Sequence, residues 1–291
     1  MSHWHIFGAG AMGSLIAYRM QHARLPCTLL HHHEGESSRL LIDGQSSTQL
    51  PIHTLDAQAP GSIKRLLITT KAGQLLDALK LAMPYLSPNA VIACTANGLG
   101  FDEGFKALLP QQNLYRAVST AAAYRDHRAA VHVVATGSTR MGPGKSAEDP
   151  PNWFRDSLAM LEGWCWEPCM ELAIGEKFSI NCVINPLTAK LKCLNGQLLL
   201  LGNTAGPELR SLCEESEPAL KRLGLWRKHG DLLDAAVSVC RSTAKNQSSM
   251  LQDTLAGRPT EINYLNAELL RRAHSLGLEL PLNQALVSSL S

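Results

Sequence analysis

A row of polar residues in an apolar segment has the spacing and the chemistry of a binding site. Lys177, Asn181 and Asn185 are four residues apart, so a helix would place them on one face. Their neighbours are apolar, which predicts a buried helix in which amines and amides need partners. A lysine can protonate a carbonyl oxygen and stabilise a developing alkoxide, and amides can hold hydroxyl or carboxylate oxygens. The row therefore indicates a substrate site; contacts with other protein groups or with solvent are the alternatives.

A glycine-rich turn near the N-terminus is the second candidate site. In G-x-G-x-x-G, the first glycine permits a tight turn, the second admits a pyrophosphate, and the third lets the helix pack close to the strand. The turn follows an apolar strand and opens an amphipathic helix, whose first N–H groups would face the anion. The pattern predicts a dinucleotide at Gly8, Ala9, Gly10, Ala11, Met12 and Gly13, with a merely tight turn as the alternative.

The segment about 20 residues beyond the last glycine usually contacts the ribose of the dinucleotide. It reads His31-His32-His33-Glu34-Gly35-Glu36-Ser37-Ser38-Arg39. An acidic residue there favours NAD and a basic one favours NADP, and this segment has both. Adjacent histidines in an extended segment do not converge on a metal. We therefore predict a loop at the adenosine end of the site, with no metal.

The first half of the chain alternates strand and helix patterns, which predicts βαβ units and a parallel sheet. Strands are predicted at 3–7, 27–30, 64–70, 90–95, 114–120, 130–136 and 163–168. Helices are predicted at 11–23 and 73–83, and a loop at Thr139–Asn152. The fold class is therefore an α/β, Rossmann-type N-terminal domain, assigned to residues 1–169 as the dinucleotide-binding domain.

The character of the sequence changes near residue 170, beyond which helical periodicity dominates. Residues 170–291 are assigned to an all-α domain that carries the substrate and catalytic groups, with a cleft between the two domains. Helices are predicted at 173–193, 207–223, 230–248 and 260–275. Pro186 should kink the first of these, because it lacks an N–H and crowds the carbonyl of Cys182.

Composition excludes several classes of protein. The chain has 291 residues, enough for two domains, and a net charge of +2 without a basic cluster, which argues against nucleic-acid binding. It has no run of about 18 apolar residues and no export signal, so a cytoplasmic protein that does not enter membranes is expected. The 8 cysteines form no C-x-x-C pair, and we interpret them, including Cys165 and Cys169, as reduced packing residues.

Seven motifs, taken in order along nearly the whole chain, resemble those of the ketopantoate reductase (2-dehydropantoate 2-reductase) family. They are GAGAMG at 8–13, TTKAGQ at 69–74, ANGLG at 96–100, EKFSINCVINPLTA at 176–189, NGQL at 195–198, SSMLQD at 248–253 and TEI at 260–262. The resemblance implies NADPH-dependent reduction of 2-dehydropantoate to (R)-pantoate in pantothenate (vitamin B5) biosynthesis. It also implies a Rossmann domain followed by a helical domain like that of 6-phosphogluconate dehydrogenase.

The resemblance also implies a role for individual residues. Lys177 corresponds to the catalytic lysine, which protonates the carbonyl oxygen as hydride arrives. The substrate-binding positions correspond to Asn97, Lys177, Asn181, Asn185, Asn195 and Ser249. Besides the glycine turn, the cofactor-binding positions correspond to His32, Lys71, Asn97, Ala123 and Glu261.

Two positions depart from the family pattern. His32 stands where the family commonly has an arginine for the 2′-phosphate of NADPH, and a neutral imidazole is a poorer phosphate clamp than a guanidinium. NADPH is therefore expected from the family and NAD is possible, with Arg39 reaching the phosphate or Glu34 holding a bare ribose. Leu194 precedes Asn195 where the family has proline, which would alter the local turn.

Two other functions remain open at this point. A paralogue could reduce another branched 2-oxo acid, and a non-catalytic NAD(P)-binding sensor could have kept the fold. The presence of both Lys177 and Glu261 argues against a sensor, which needs no proton donor. The expected partner is a small 2-oxo acid, and the chain is expected to act as a monomer or homodimer.

Overall fold

A computed structural model describes residues 3–32, 36–144, 148–200 and 204–290. The chain divides into two compact units. Unit 1 comprises Met1–Ala96 and Phe101–Met170, and unit 2 comprises Asn97–Gly100 and Glu171–Ser291. The short segment Asn97–Gly100 therefore belongs with the C-terminal unit, although it follows a strand of the N-terminal one.

In unit 1, 11 strands among the described residues form one sheet. They are β1 (Trp4–Phe7), β2 (Cys27–His31), β3 (Ser38–Asp43), β4 (Ser46–Thr54), β5 (Ile63–Ile68), β6 (Leu86–Cys94), β7 (Leu114–Ser119), β8 (Ala122–Arg125), β9 (Val131–Ala135), β10 (Thr139–Gly142) and β11 (Trp164–Trp166). The helices of this unit are α1 (Ala11–His22), α2 (Ala72–Ala82), α3 (Asp102–Leu108) and α4 (Asn152–Arg155).

The centre of the sheet is parallel, as the strand–helix alternation predicts. β1 pairs in parallel with β2 and β5, and the parallel order continues through β6 to β7. In such a sheet, ligands bind beyond the carboxyl ends of the strands. The carboxyl ends of β1, β2 and β5 are neighbours, so the segments that follow these strands share one edge of the sheet.

The edges of the sheet are mixed rather than parallel. β3 and β4 form an antiparallel hairpin in which Asp43 pairs with Ser46, so the connecting loop is Gly44-Gln45, and Gly44 has a φ of +58°. Asp-Gly followed by an alternating segment is a hairpin signal, yet no strand is predicted from the sequence between residues 30 and 64, and the loop predicted over His31–Arg39 gives way to β3 from Ser38. Leu41, Leu50 and Ile52 of the hairpin are buried in one cluster with α1.

The predicted loop over Thr139–Asn152 is wrong at its start. Thr139–Gly142 forms β10, which pairs antiparallel with β7 and parallel with β11. Met141 is fully buried in this strand, so burial between two neighbours outweighs the loop signal of the glycines and prolines that follow.

Unit 2 is helical, as predicted. Its helices are α5 (Met170–Leu191), α6 (Pro207–Arg222), α7 (Leu232–Ser242), α8 (Ser249–Leu255), α9 (Asn266–His274) and α10 (Pro281–Leu290). Two short strands, β12 (Leu199–Leu200) and β13 (Thr204–Ala205), pair antiparallel between α5 and α6. The helix predicted at 230–248 ends at Ser242, and the one predicted at 260–275 begins at Asn266 after a 3₁₀ turn, Ile262–Tyr264.

Helix α5 continues through Pro186, and the structure shows how the loss of an N–H at that position is compensated. A proline at 186 cannot donate to the carbonyl of Cys182, one turn earlier. Nδ2 of Asn266, at the start of α9, donates to that carbonyl at 2.9 Å. Asn266 is fully buried and also donates to Oδ1 of Asn283 at 2.8 Å. The proline thus creates a polar tie between α5 and α9.

Three further features bear on the sequence expectations. Within the described residues, no helix is long and apolar enough to cross a membrane. No group of three or more His, Cys, Asp or Glu side chains in that part of the chain is placed to hold a metal. Cys165 is exposed on β11, so its interpretation as a packing residue is wrong; the alternation of the strand buries Trp164 instead.

Candidate active site

The glycines of the turn differ in what surrounds them. Gly8 has a φ of +121°, which only glycine adopts readily. A Cβ at Gly13 would lie 2.1 Å from the carbonyl oxygen of Gly8, so α1 packs on the turn with no room for a side chain. A Cβ at Gly10 would meet no atom within 4 Å, so the backbone there faces open space. A tight turn, an open approach and a close helix contact are what a dinucleotide pyrophosphate requires, so the turn fits such a cofactor.

Thr69 holds this turn from the neighbouring strand. Its Oγ1 donates to the carbonyl of Gly8 at 2.8 Å, and its N–H donates to the carbonyl of Phe7 at 2.9 Å. The motif TTKAGQ contains Thr69, although the family resemblance implies a role only for Lys71. The signal that could have identified Thr69 was a short polar side chain directly after a buried strand.

Three predicted cofactor positions gather at one edge of the sheet of unit 1. Gly8 follows β1, His32 follows β2 and Lys71 is the N-cap residue of α2, just beyond β5. His32 is exposed, and its ring lies edge-on to that of Phe7 with 6.4 Å between centroids. Because β1, β2 and β5 are adjacent, these residues surround the same carboxyl ends.

Ala123, another predicted cofactor position, lies in a different part of the sheet from the glycine turn. It lies on β8, at the far end of the strand order, and pairs with Val133 of β9. The sheet folds back so that α1 packs on β8, and Ala123 lies against the same apolar cluster as Ala11 and Met12. Ala123 is therefore in the unit that holds the glycine turn, on a strand against which α1 packs.

Arg39 was the alternative candidate for contacting the 2′-phosphate of NADPH. Its side chain is bound to other protein groups instead. Its side chain is 2% exposed, its Nη1 donates to the carbonyl of Ala129 at 2.7 Å, and its Nη2 pairs with Glu36. Burial lowers the pKa of Arg39, while Glu36 opposes that effect. Arg39 ties the start of β3 to the turn before β9, and the alternative residue Glu34 lies outside the described residues.

The polar row of α5 is present as predicted. Helix α5 is continuous from Met170 to Leu191, so Lys177, Asn181 and Asn185 follow one another at four-residue spacing along one face. Lys177 and Asn181 are half-buried, whereas Asn185 is 8% exposed. The row therefore runs from a partly accessible lysine to a buried amide.

Asn195 is held in a tight turn after α5. Its Nδ2 donates to Oγ1 of Thr243 at 2.9 Å, and its Oδ1 is buried without a hydrogen-bond partner among the described residues. A buried acceptor of this kind is available to a ligand donor. Leu194 has an N–H that donates to Oε1 of Gln197 at 2.7 Å, a bond that the family's proline cannot make. The departure at Leu194 thus adds a hydrogen bond to the turn.

Ser248 and Ser249 begin α8 and have different environments. Ser248 is 7% exposed and caps the helix, since its Oγ accepts from the N–H of Leu251 at 3.0 Å. Ser249, the predicted substrate residue, is exposed. The cap therefore presents the Ser249 hydroxyl at the accessible start of the helix.

Asn97 and Glu261 meet although they are far apart in sequence. Nδ2 of Asn97 donates to Oε2 of Glu261 at 3.2 Å. The residues after Asn97 hold its segment against the segment of Glu261, because the N–H of Leu99 donates to the carbonyl of Tyr264 at 3.0 Å. Gly98 lies so close to Tyr264 that a Cβ on it would come within 2.3 Å of that carbonyl oxygen. The glycine of the ANGLG motif is thus required by this contact.

Comparison with known proteins assigns the chain to a family. Residues 4–146 match the family model described as ketopantoate reductase PanE/ApbA, and residues 170–291 match its C-terminal companion. The chain belongs to the ketopantoate reductase PanE/ApbA family. The 2-dehydropantoate 2-reductase of Salmonella typhimurium is 33% identical over 97% of this chain and 91% of its own length. That of Shigella flexneri is 37% identical over 76% of this chain and 71% of its own length.

Solved structures share the fold of this chain. The probable 2-dehydropantoate 2-reductase from Bacillus subtilis has a TM-score of 0.80 at 23% identity, covering 99% of this chain and 98% of its own. The D-mandelate dehydrogenase complex with NADH and anilino(oxo)acetate has a TM-score of 0.85 at 18% identity, covering 99% and 96%. These likenesses establish the two-part architecture of a sheet domain followed by helices.

Proposed function

We propose that the chain is a 2-dehydropantoate 2-reductase, which reduces the keto group of 2-dehydropantoate to the hydroxyl of (R)-pantoate with Lys177 as proton donor. The observation that carries the proposal is the row on α5, in which a half-buried lysine precedes an increasingly buried pair of amides. Family membership and 33% identity to the Salmonella typhimurium enzyme along 97% of the chain support the substrate.

The reaction needs a hydride and a proton. When bound, a reduced nicotinamide supplies the hydride for the keto carbon, and the glycine turn with Lys71 would hold its phosphates and ribose. Lys177 donates the proton to the keto oxygen, and its ammonium stabilises the negative charge that develops there. Lys177 leaves the step as the neutral amine and regains its proton from solvent, which its half-buried position permits.

The remaining polar groups orient the substrate. Asn181 and Asn185 hold its hydroxyl and keto oxygens from α5, and the unpartnered Oδ1 of Asn195 accepts from a hydroxyl. Ser249 donates to the carboxylate from the accessible start of α8. Asn97 and Glu261 would contact the cofactor, and Asn97 would also contact the substrate.

A steady-state assay of purified protein tests the proposal. NADPH or NADH would be combined with 2-dehydropantoate and, separately, with other branched 2-oxo acids, and nicotinamide oxidation would be followed by absorbance. We expect the highest kcat/KM with 2-dehydropantoate. A higher value with another 2-oxo acid would favour the paralogous reductase, and no oxidation with any of them would leave only a dinucleotide sensor.

Lys177→Ala tests the proton donor. We expect kcat to fall by about 10²–10⁴, the usual contribution of general acid catalysis, while cofactor affinity stays within about twofold. Asn185→Ala on the same face is the matched control, since loss of a substrate contact should raise KM more than it lowers kcat. Full activity of Lys177→Ala would exclude the mechanism.

The cofactor preference belongs to the same proposal. Since His32 is exposed beyond β2, we propose NADPH with a preference weaker than an arginine would give. His32→Arg should lower KM for NADPH by about tenfold, because a bidentate contact with the 2′-phosphate is gained, and leave KM for NADH unchanged. An equal change for both cofactors would show that position 32 does not contact the 2′-phosphate.

The oligomeric state remains a proposal as well. One solved relative is described as the dimeric ketopantoate reductase from Staphylococcus aureus, and we propose a monomer or homodimer for this chain. Light scattering after size exclusion distinguishes the two.

A further inference from the structure

Two buried hydroxyls join α5 to the start of α8. Oγ1 of Thr188 lies 2.7 Å from Oγ of Ser248, 60 residues later in the chain. Thr188 is fully buried and Ser248 is 7% exposed, so water does not compete strongly for this hydrogen bond. Neither Thr188 nor Ser248 has a role in the proposed reaction.

The surrounding acceptors favour one direction for this hydrogen bond. Oγ1 of Thr188 lies 2.9 Å from the carbonyl oxygen of Asn185 and 3.1 Å from that of Ile184, and both carbonyls can only accept. With the single proton of Thr188 on one of these carbonyls, Ser248 donates to Thr188, and this arrangement pairs the protons of both hydroxyls. Ser248 in turn accepts from the N–H of Leu251 at 3.0 Å.

The result is a directed chain of hydrogen bonds, which we call the hydroxyl relay: Leu251 N–H to Ser248, Ser248 to Thr188, and Thr188 to the carbonyl of Asn185. Each hydroxyl both donates and accepts, so neither can lose its oxygen without leaving a buried group unpaired. One end of the relay is the backbone of Asn185, the buried end of the polar row. The other end is the cap of α8, directly before Ser249.

We propose that Thr188 and Ser248 are positioning residues for the keto acid: the hydroxyl relay sets the spacing between the Asn185 amide and the Ser249 hydroxyl without touching the substrate. This inference rests on the proposed function, which makes Asn185 and Ser249 substrate ligands. The expected effect is large, because a misplacement of about 1 Å in a site of this kind lowers kcat/KM by about 100-fold.

Three variants test the relay. Thr188→Val keeps the shape of the side chain and removes the oxygen, Thr188→Ser restores the hydroxyl, and Ser248→Ala breaks the relay from the other side. We expect kcat/KM for the keto acid to fall about 10- to 100-fold in Thr188→Val and in Ser248→Ala, mainly through KM, and to stay within about threefold in Thr188→Ser. The KM of the nicotinamide cofactor should not change. The double variant should lose no more than the worse single variant, because both changes break one relay.

Ser179 provides a matched control on the same helix. It is fully buried, and its Oγ donates to the carbonyl of Gly175 at 2.8 Å, as Thr188 donates to its own helix. Ser179→Ala thus removes a comparable buried hydroxyl without touching α8, and kcat/KM should stay within about threefold. If Thr188→Val loses no more activity than Ser179→Ala, or if the cofactor KM rises as much as that of the keto acid, the role is structural only and the inference is wrong.

Hydrogen exchange tests the relay without substrate. Amides of Ser249–Leu255 should exchange about 5- to 10-fold faster in Thr188→Val than in wild type, as expected for the loss of one buried hydrogen bond, and should not change in Ser179→Ala. Unchanged exchange in Thr188→Val would overturn the inference whatever the protein reduces. A wild-type protein that reduces no 2-oxo acid would instead overturn the proposed function, and with it the substrate part of the inference.

Discussion

Asn97 and Glu261 are hydrogen-bonded to each other across 164 positions of sequence, with 3.2 Å between Nδ2 and Oε2. Both belong to the C-terminal unit, and Glu261 is 8% exposed. A buried carboxylate needs donors, and Asn97 is one of them. The two proposed cofactor contacts therefore depend on each other.

This dependence predicts coupled losses of cofactor affinity. Asn97→Ala should raise the Kd of the cofactor about tenfold, because it removes a direct contact and also a donor to Glu261. Glu261→Gln, which keeps an acceptor oxygen, should raise the Kd of the cofactor about threefold. Calorimetric titration measures both Kd values, and the double variant Asn97→Ala with Glu261→Gln should raise the Kd by less than the product of the two single effects. Strictly additive losses would show that the two residues act independently.

The glycine turn predicts opposite outcomes for two similar substitutions. Gly10→Ala places its Cβ in open space at an ordinary backbone conformation, so the protein should keep its stability and bind cofactor at least tenfold more weakly. Gly13→Ala places its Cβ 2.1 Å from the carbonyl oxygen of Gly8, so it should destabilise the protein by about 1–3 kcal/mol. Urea unfolding and cofactor titration of both variants measure these effects. Equal stability of the two would contradict the packing role of Gly13.

Asn266 supplies the donor that Pro186 cannot, so substitutions at these two positions should have coupled effects on the free energy of unfolding. Asn266→Leu removes the donor to the carbonyl of Cys182 and should destabilise the protein by about 2–3 kcal/mol. Pro186→Ala returns a backbone N–H that can reach the same carbonyl from within α5. In the Pro186→Ala background the loss caused by Asn266→Leu should therefore be smaller by about 1 kcal/mol. Additive free energies from denaturant unfolding would argue that Asn266 does not compensate for the proline.

The sequence was sufficient for those parts of the fold that repeat a local pattern. The parallel strands, the glycine turn and the polar row of α5 each follow from residue spacing within about 15 positions, which hydrophobic periodicity can detect. The hairpin of β3 and β4 was missed although Asp43-Gly44 is a local turn signal, and the strand β10 was missed because its stability comes from distant neighbours. Leu41 and Met141 are buried by α1 and by other strands, and no local signal carries that information.

In the candidate site, too, some features follow from local residue spacing and others only from long-range packing. Lys177 and Asn185 follow from spacing alone, whereas the pairing of Asn97 with Glu261 joins segments that only the folded chain brings together. Thr188 was visible as a neighbour of the polar row, but its link to Ser248 was not. Arg39 was a candidate by charge and position, and its burial beside Ala129 excludes it. Residue types therefore indicated the chemistry, and long-range packing determined which of them are available for it.

His5 predicts a pH dependence of stability. Burial in β1, with a smaller contribution from the charge of neighbouring His3, lowers the pKa of His5 from 6.5 to about 4. The folded protein therefore keeps His5 neutral at pH values where the unfolded chain has bound a proton. Because the folded pKa is the lower one, the stabilisation is complete above about pH 6.5 and is lost as the pH falls towards 4.

The loss is measurable as a change in the free energy of unfolding. A shift of this size corresponds to about 3 kcal/mol over that range, at about 1.4 kcal/mol for each pH unit of difference. Urea unfolding at intervals from pH 8 to pH 4.5 should show a decline that begins near pH 6.5. The variant His5→Gln cannot titrate, so its free energy of unfolding should decline less, by about 2.5 kcal/mol at pH 4.5. Between pH 7 and 8 the free energies of both proteins should change with pH at the same slope. Parallel curves down to pH 4.5 would mean that another group causes the acid destabilisation.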